Sequence, residues 1–185
     1  MRELALHLLD IAENSVAAGA KTIQIFAEED LVNDRLRLAV IDDGTGMDAQ
    51  MVAQVTDPFF TTRTTRKVGL GIPLLKAAAE ACNGFLAISS VPAKGTRIEV
   101  EFQHSHIDRM PLGDLPGTWL TLLVSYPAIH WIFQYKNGSS CFEFDDVLFK
   151  REMGDLPLTE PTILTFLRQC LQEGVADIQG SAVIQ

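Results

Sequence analysis

The chain has few of the features that mark membrane, secreted or metal-binding proteins. It has only three cysteines, Cys82, Cys141 and Cys170, an odd number at wide spacing that suits neither a disulfide framework nor a metal site. No apolar run approaches the roughly 18 residues that a transmembrane helix needs. The first residues lack the uninterrupted apolar segment of a signal peptide. We therefore expect reduced thiols, no membrane association and a cytoplasmic protein.

Positive charge is also scarce. The 185 residues include 15 basic and 24 acidic side chains, which give a net charge of −9. Such a charge argues against general binding to nucleic acids or to acidic membranes. Apolar residues make up 47% of the chain, enough for a hydrophobic core. The length fits one domain, or one domain with a smaller appendage.

Hydrophobic periodicity predicts an α+β fold for residues 1–103. Helices are expected near residues 3–17, 48–55 and 72–81, and strands at 21–27, 35–41, 85–91 and 96–102. This order favours a two-layer α/β sandwich, with a mixed, mostly antiparallel sheet and helices on one face. Residues 56–71 show no periodicity. A long loop of this kind inside a domain is usually functional.

The character of the chain changes after residue 103. Residues 104–185 are predicted to form a small α+β C-terminal region, with helices near 117–125, 145–153 and 162–174 and a hairpin of strands at 131–135 and 140–144. Its aromatic residues form either a small core or an exposed surface for a partner. The residues concerned are Trp119, Trp131, Phe133 and Tyr135.

The first predicted helix carries two polar residues one turn apart. Asp10 and Asn14 are four residues apart, so their side chains lie on the same helix face. A carboxylate and a carboxamide placed in this way can activate a water and bind Mg²⁺. The alternative is an ordinary solvated helix face. Glu13 points about 100° away from Asn14 around the helix and is the poorer candidate base.

A second block, residues 42–46, follows a predicted strand. Asp42, at the end of the strand, can accept a hydrogen bond, and Gly44 and Gly46 allow the backbone to approach a ligand. Asp43 is expected to face solvent. An ordinary Asp-Gly turn is the alternative for this block alone.

A third and a fourth block bracket the long loop. Residues 57–63 combine two phenylalanines with hydroxyl and basic groups, which can neutralise a triphosphate. A solvated basic loop is the alternative. Residues 69–71 then open a helix, whose N–H groups and dipole suit a phosphate.

The four blocks, in this order, resemble those of the GHKL ATPases, and in particular the histidine kinase and mismatch-repair members. The resemblance covers residues 1–103 and implies a Bergerat-type ATP-binding fold with ATP and Mg²⁺ as cofactors. It implies that Asp10 is the general base, where the mismatch-repair relatives have glutamate. It further implies that Asn14 binds the Mg²⁺ on the ATP phosphates and that Asp42 accepts the adenine amino group. Thr96 matches a final Gly-Thr block at the edge of the pocket.

The resemblance also implies a mobile lid, anchored by Phe59, over the bound nucleotide. The nucleotide-binding residues that it implies are Asn14, Asp42, Gly44, Gly46, Phe59, Thr61, Thr62, Arg63, Gly69, Leu70, Gly71 and Thr96.

Three functions stay open: a protein kinase that acts on another chain, an ATP-driven switch that hydrolyses slowly, or a nucleotide-binding scaffold without turnover. We favour an ATPase or kinase of the GHKL type. None of the four histidines has the acidic neighbour of a phosphoacceptor histidine, so a protein partner is expected to supply the acceptor. The C-terminal region distantly resembles stand-alone ATP-binding proteins associated with iron-hydrogenase components. That resemblance implies a redox- or hydrogenase-associated partner.

Overall fold

Six strands of the described residues form one mixed sheet, to which both halves of the chain contribute. The structure, a computed structural model, describes residues 3–56, 71–154 and 156–181. In chain order its elements are α1 (Leu4–Ala17), β1 (Thr22–Asp30), β2 (Arg35–Asp42), α2 (Ala49–Gln54), α3 (Gly71–Ala81), β3 (Phe85–Val91), β4 (Gly95–Gln103), α4 (Leu115–Ser125), β5 (His130–Asn137), β6 (Ser140–Asp145), α5 (Asp146–Met153) and α6 (Pro161–Ser181).

The sheet is mixed and mostly antiparallel, as the sequence predicts. Its strand order is β3-β4-β2-β1-β5-β6, and among the described strands only β1 and β5 pair in parallel. A parallel pair needs a long crossover connection, which residues 31–129 provide here. The predicted α+β fold class is confirmed.

One face of the sheet packs against the helices. Along β1, Ile23, Ile25 and Ala27 are buried and alternate with half-buried residues, because successive side chains of a strand point to opposite faces. The helical layer contains α1, α3, α4 and α6, and α4 contacts both α1 and α6. Among the described helices, none is both long enough and apolar enough to cross a membrane.

The C-terminal region continues this sheet and does not form a second one. Strand β5 pairs with β1, so the sheet extends across residue 103. The four aromatic residues in question, Trp119, Trp131, Phe133 and Tyr135, are all fully buried. Trp119 stacks on Phe133 with ring centroids 5.0 Å apart. These residues therefore belong to the core and do not form an exposed surface for a partner. A functional division at residue 103 stays a prediction.

The link between β4 and α4 holds the start of α1. The N–H groups of Leu4 and Ala5 donate to the carbonyls of Pro111 and Leu112, at 3.0 and 2.9 Å. Glu3 at the N-cap makes no side-chain cap. The first N–H groups of a helix have no partner within the helix. The C-terminal half of the chain therefore supplies partners that α1 lacks.

The last helix is longer than the sequence predicts. It runs to Ser181, whereas the predicted helix ends at Gly174. A Cβ placed on Gly174 would overlap the ring of Phe142 on β6. The glycine thus permits close packing of α6 on the sheet and does not end the helix. The prediction was wrong because a stop signal and a packing glycine look alike in sequence.

A buried histidine makes the stability of the fold depend on pH. His7 on α1 is only 3% exposed, and its Nδ1 has no hydrogen-bond partner among the described residues. Desolvation by burial lowers the pKa of His7 below 6.5, against the opposing charge of Asp10. Below about pH 6.5 the unfolded chain therefore binds a proton that the folded chain does not.

We expect the free energy of unfolding to fall as the pH falls from 6.5 towards the lowered pKa of His7. His7→Leu should flatten this dependence, because the variant has no imidazole to protonate. Denaturant titrations of both proteins at about pH 7.5 and 5.5 measure the effect. If the free energy of unfolding fell equally in the two proteins, the pH dependence would arise from groups other than His7.

Candidate nucleotide-binding site

Asp42 lies at the end of β2, where three donors hold its carboxylate. The N–H groups of Gly44 and Thr96 donate to Oδ1, at 2.9 and 3.2 Å. The hydroxyl of Ser15, on α1, donates to Oδ2 at 2.6 Å. These donors come from three separate parts of the chain. They fix the orientation of an acceptor that can still take a hydrogen bond from a ligand.

The loop after Asp42 is shaped by two glycines. Gly46 has a φ of +65° and a Cβ there would overlap the carbonyl oxygen of Val91. Gly44 is buried, and a Cβ on it would lie 3.0 Å from the carbonyl oxygen of Ala18. Gly46 therefore needs glycine for its conformation and its packing, whereas a side chain on Gly44 would require Ala18 to shift slightly. The predicted approach of these residues to a ligand stays a prediction.

A third glycine, Gly95, allows the β3–β4 hairpin to pack closely against the backbone of Asp42. Its φ is +100°, and a Cβ there would overlap the backbone carbonyl of Asp42. Thr96, the next residue, contributes its N–H to the Asp42 carboxylate. The structure thus brings Thr96 and Asp42 together, as the sequence predicts for two residues of one pocket.

Ser90 connects the loop to the hairpin and was not predicted from the sequence. Its hydroxyl accepts the N–H of Met47 at 2.7 Å and donates to the carbonyl of Gly95 at 3.0 Å. It also lies 2.9 Å from the hydroxyl of Thr96. The one signal in the sequence is a polar residue on the inward side of β3, in line with Leu86 and Ile88. Ser15 was missed as well.

Asp10 and Asn14 lie on α1, one turn apart and both half-buried. A Cβ on Gly71, the first residue of α3, would overlap Oδ2 of Asp10. The Asp10 carboxylate therefore lies directly against the N-terminal end of α3. A helix N-terminus is electropositive, so a carboxylate is favoured there. This contact brings the first and the fourth sequence blocks together.

Asp43 supports the site from outside. The residue is exposed, as predicted, but its Oδ1 accepts the N–H groups of Lys21 and Thr22 at 2.7 and 2.9 Å. Desolvation alone would raise the pKa of Asp43, and the hydrogen bonds from Thr22 and Lys21 outweigh it and lower the pKa. Asp43 holds the start of β1 beside the end of β2.

Several predicted site residues lie outside the described ranges. They are Phe59, Thr61, Thr62, Arg63, Gly69 and Leu70. Their predicted contacts with the nucleotide, and the lid that they would form, stay predictions.

A second cluster of polar side chains lies far from this site in sequence. Ligand atoms of His130, Asp145 and Asp146 lie within 4.8 Å of one another. Asp146 is fully buried, and the ammonium group of Lys150 contacts its Oδ2. Burial raises the pKa of Asp146, and Lys150 opposes this shift. Lys150 already provides a positive charge here. We therefore interpret the cluster as ion pairs that fix α5 to β5, and not as a metal site.

Residues 1–106 match the model of the family described as histidine kinase-, DNA gyrase B- and HSP90-like ATPases. The match covers more than half of the chain and includes every block described above. This chain therefore belongs to that family.

Curated relatives are similar over about half of the chain. The sensor protein DegM of a Bacillus species is 28% identical over 91 residues, which cover 49% of this chain and 24% of DegM. The cell-division control histidine kinase PdhS of Brucella anthropi is 30% identical over 120 residues, which cover 58% of this chain and 11% of PdhS. The chain thus spans a quarter or less of the length of these relatives.

A solved structure shows the same fold over nearly the whole chain. The N-terminal domain of a DNA repair protein aligns with a TM-score of 0.57 at 12% identity. The alignment covers 95% of this chain and 57% of that one. At this identity the likeness concerns the fold alone, and it extends beyond the 106 residues of the family match.

Proposed function

We propose that this chain binds Mg-ATP, with the adenine on Asp42 and the phosphates at the N-terminal end of α3. The observation that carries the proposal is the Asp42 carboxylate, which Gly44, Thr96 and Ser15 hold in a fixed orientation. Membership in an ATPase family supports it.

The chemistry of Asp42 favours adenine over guanine. The exocyclic amino group of adenine donates a hydrogen bond, whereas guanine presents an acceptor oxygen at the same position. A carboxylate accepts the first and repels the second. A buried polar group left without its partner costs about 1–3 kcal/mol. We therefore propose that ATP is preferred to GTP.

The residues around Asp10 fit a phosphate-bound magnesium ion. Asn14 offers a carboxamide oxygen one helical turn from the Asp10 carboxylate, and Mg²⁺ prefers oxygen ligands. When bound with ATP, the cation neutralises charge on the phosphates. The start of α3, next to Asp10, offers a helix dipole for the same purpose.

Asp10 is our proposed general base. It would take the proton of an attacking water or partner hydroxyl, while the γ-phosphoryl group moves to the attacking oxygen and ADP leaves. Its contact with α3 supports this role, because it places the carboxylate next to the proposed phosphate position. Aspartate is one methylene shorter than the glutamate of the mismatch-repair relatives, so slow hydrolysis is expected.

We propose that the protein uses this pocket as a trans-acting protein kinase or as an ATP-dependent switch. The kinase assignment of PdhS and its similarity to this chain favour a protein partner. The redox- or hydrogenase-associated partner suggested by the sequence belongs to this proposal, as does the cytoplasm as its location. The three cysteines are free thiols, which suits a reducing compartment. A nucleotide-binding scaffold without turnover is the alternative.

Incubation with γ-labelled ATP, alone and with cell lysate, separates these functions. Release of labelled phosphate by the protein alone indicates a switch. Label on another protein, dependent on this chain, indicates a kinase. Calorimetric binding of ATP with neither product indicates a scaffold. Failure to bind ATP in calorimetry would refute the proposal as a whole.

Asn14→Ala should abolish the Mg²⁺-dependent increase in ATP affinity and leave the affinity for adenosine nearly unchanged. The reason is that only the phosphate-bound cation loses a ligand. Calorimetric titrations of ATP with and without Mg²⁺ measure the first quantity, and titrations of adenosine provide the control. An unchanged response to Mg²⁺ would show that Asn14 has only a structural role on α1.

A further inference from the structure

Ser90, Thr96 and Asp42 form one row across three neighbouring strands. Ser90 on β3 lies directly opposite Thr96 on β4, and Thr96 lies directly opposite Asp42 on β2. Residues directly opposite each other in antiparallel strands have Cβ atoms about 4.5–5.5 Å apart and point to the same face of the sheet. Thr96 therefore lies between Ser90 and the carboxylate of Asp42, on the face that the helices cover.

The hydroxyl of Ser90 has three hydrogen-bonding neighbours, which together fix what it offers to Thr96. A serine hydroxyl donates one hydrogen bond and accepts two. This one accepts the N–H of Met47 at 2.7 Å and donates its proton to the carbonyl of Gly95 at 3.0 Å, a group that can only accept. One lone pair of Ser90 remains for the hydroxyl of Thr96, 2.9 Å away. Thr96 is therefore the donor in this pair.

A similar count applies to the carboxylate of Asp42. An ionised carboxylate has about four lone-pair sites for hydrogen bonds. Three are occupied, because the N–H groups of Gly44 and Thr96 donate to Oδ1 and the hydroxyl of Ser15 donates to Oδ2. One site remains for a ligand. A further donor within the protein would occupy it, and the hydroxyl of Thr96, on the neighbouring strand of the same row, is a candidate for that role.

We propose that Ser90 is a positioning residue for adenine recognition, because it accepts the proton of Thr96 and so keeps that proton away from Asp42 and from the ligand. The proposal rests on the proposed binding of adenine at Asp42. With the Thr96 proton held by Ser90, both the last site of Asp42 and the oxygen of Thr96 act as acceptors. Two acceptors suit the exocyclic amino group of adenine, which carries two hydrogen atoms.

Removal of the Ser90 hydroxyl would change the hydrogen bonding of Thr96 in one of two ways. The released proton of Thr96 either turns to Asp42, where it fills the last acceptor site, or turns to the ligand, where it meets the amino group as a second donor. Both arrangements weaken the interaction with the amino group, and neither affects a base that lacks it. Ser90 thus controls discrimination at one position of the base.

Calorimetric titrations with ATP and with purine riboside triphosphate test the proposal. The second nucleotide lacks only the amino group, so the ratio of its dissociation constant to that of ATP measures what the amino group contributes. We expect the parent to bind ATP more tightly. Ser90→Ala should reduce the ratio about threefold to tenfold, as for the loss of one ordinary hydrogen bond. A merely structural role would weaken both nucleotides equally and leave the ratio unchanged.

Ser89→Ala is the matched control, because Ser89 is exposed on the same strand and the variant loses the same hydroxyl from the opposite face of the sheet. Its ratio should equal that of the parent. Ser90→Thr keeps a hydroxyl at the position and should keep the ratio. Ser90→Cys, a substitution of similar size that accepts hydrogen bonds only weakly, should lower the ratio as alanine does. It decides the question if the alanine variant does not fold.

The possible failures point to different errors. An unchanged ratio in Ser90→Ala or Ser90→Cys would overturn the role of Ser90 and leave ATP binding intact. So would a Ser90→Thr variant whose ratio falls as far as that of Ser90→Ala, or a parent that binds both nucleotides equally well. A parent that binds neither nucleotide would refute the proposed function itself, and the role of Ser90 with it.

Discussion

Asp10→Asn is expected to slow any ATPase or kinase reaction of this protein by about 10²–10⁴-fold, the range that general-base catalysis contributes. ATP affinity should stay close to that of the parent, because the base contacts the attacking group and not the nucleotide. Asp10 contacts the start of α3, the end of that helix at which we propose that the phosphates bind. Single-turnover rates, measured at saturating ATP, give the change directly.

Glu13→Gln is the matched control for this variant. Glu13 lies on the same helix and loses the same charge, but it points to another side of α1. We expect its rate to equal that of the parent. Asp10→Glu, which restores the residue type of the mismatch-repair relatives, should retain activity. If Asp10→Asn turns over as fast as the parent, Asp10 is structural, and transfer to an already nucleophilic acceptor such as a partner histidine becomes the better hypothesis.

Asp42→Asn is expected to weaken ATP binding by about 1–3 kcal/mol, the range for losing a hydrogen bond to a charged group. The variant also replaces one acceptor oxygen with an amide that donates. Gly44, Thr96 and Ser15 all donate to this side chain, so the new amide would face donors on whichever side it turned. Calorimetry with ATP measures the loss.

Asp43→Asn removes the same charge from the neighbouring residue and serves as the control. Its Oδ1 accepts the backbone N–H groups of Lys21 and Thr22, and an asparagine keeps that acceptor. We expect nearly unchanged ATP affinity. GTP should bind poorly to the parent. Equal ATP affinities in Asp42→Asn and the parent would remove Asp42 from the floor of the pocket.

Much of the site could be predicted because its parts are local. Asp10 and Asn14 share a helix face through the 3.6-residue period alone, and Asp42 ends a strand whose alternation is visible in the sequence. The order of the four blocks then indicated the family to which the chain belongs. The prediction that Asp43 faces solvent was correct for its exposure but missed its hydrogen bonds to Lys21 and Thr22.

Two of the residues that hold Asp42 could not be found from local patterns. Ser15 was missed, and Thr96 was predicted only from the resemblance to a known family. Ser15 is 27 residues from Asp42, and Thr96 is 54 residues from it. No spacing rule connects positions so far apart, since the fold alone brings them within hydrogen-bond distance. Gly174 shows the same limit, because its contact with Phe142 on β6 is invisible in the sequence.

The sequence by itself determined most of the helices and strands, the order of the four blocks and the position of Asp10 and Asn14 on one helix face. These depend on backbone periodicity, which acts over a few residues. The tertiary structure decided three other features: the donors around Asp42, the contact of Asp10 with the start of α3, and the parallel pairing of β1 with β5 that joins residues 104–185 to the same sheet. Each depends on the packing of segments distant in the chain, where the burial of apolar faces and the pairing of backbone groups select the partners.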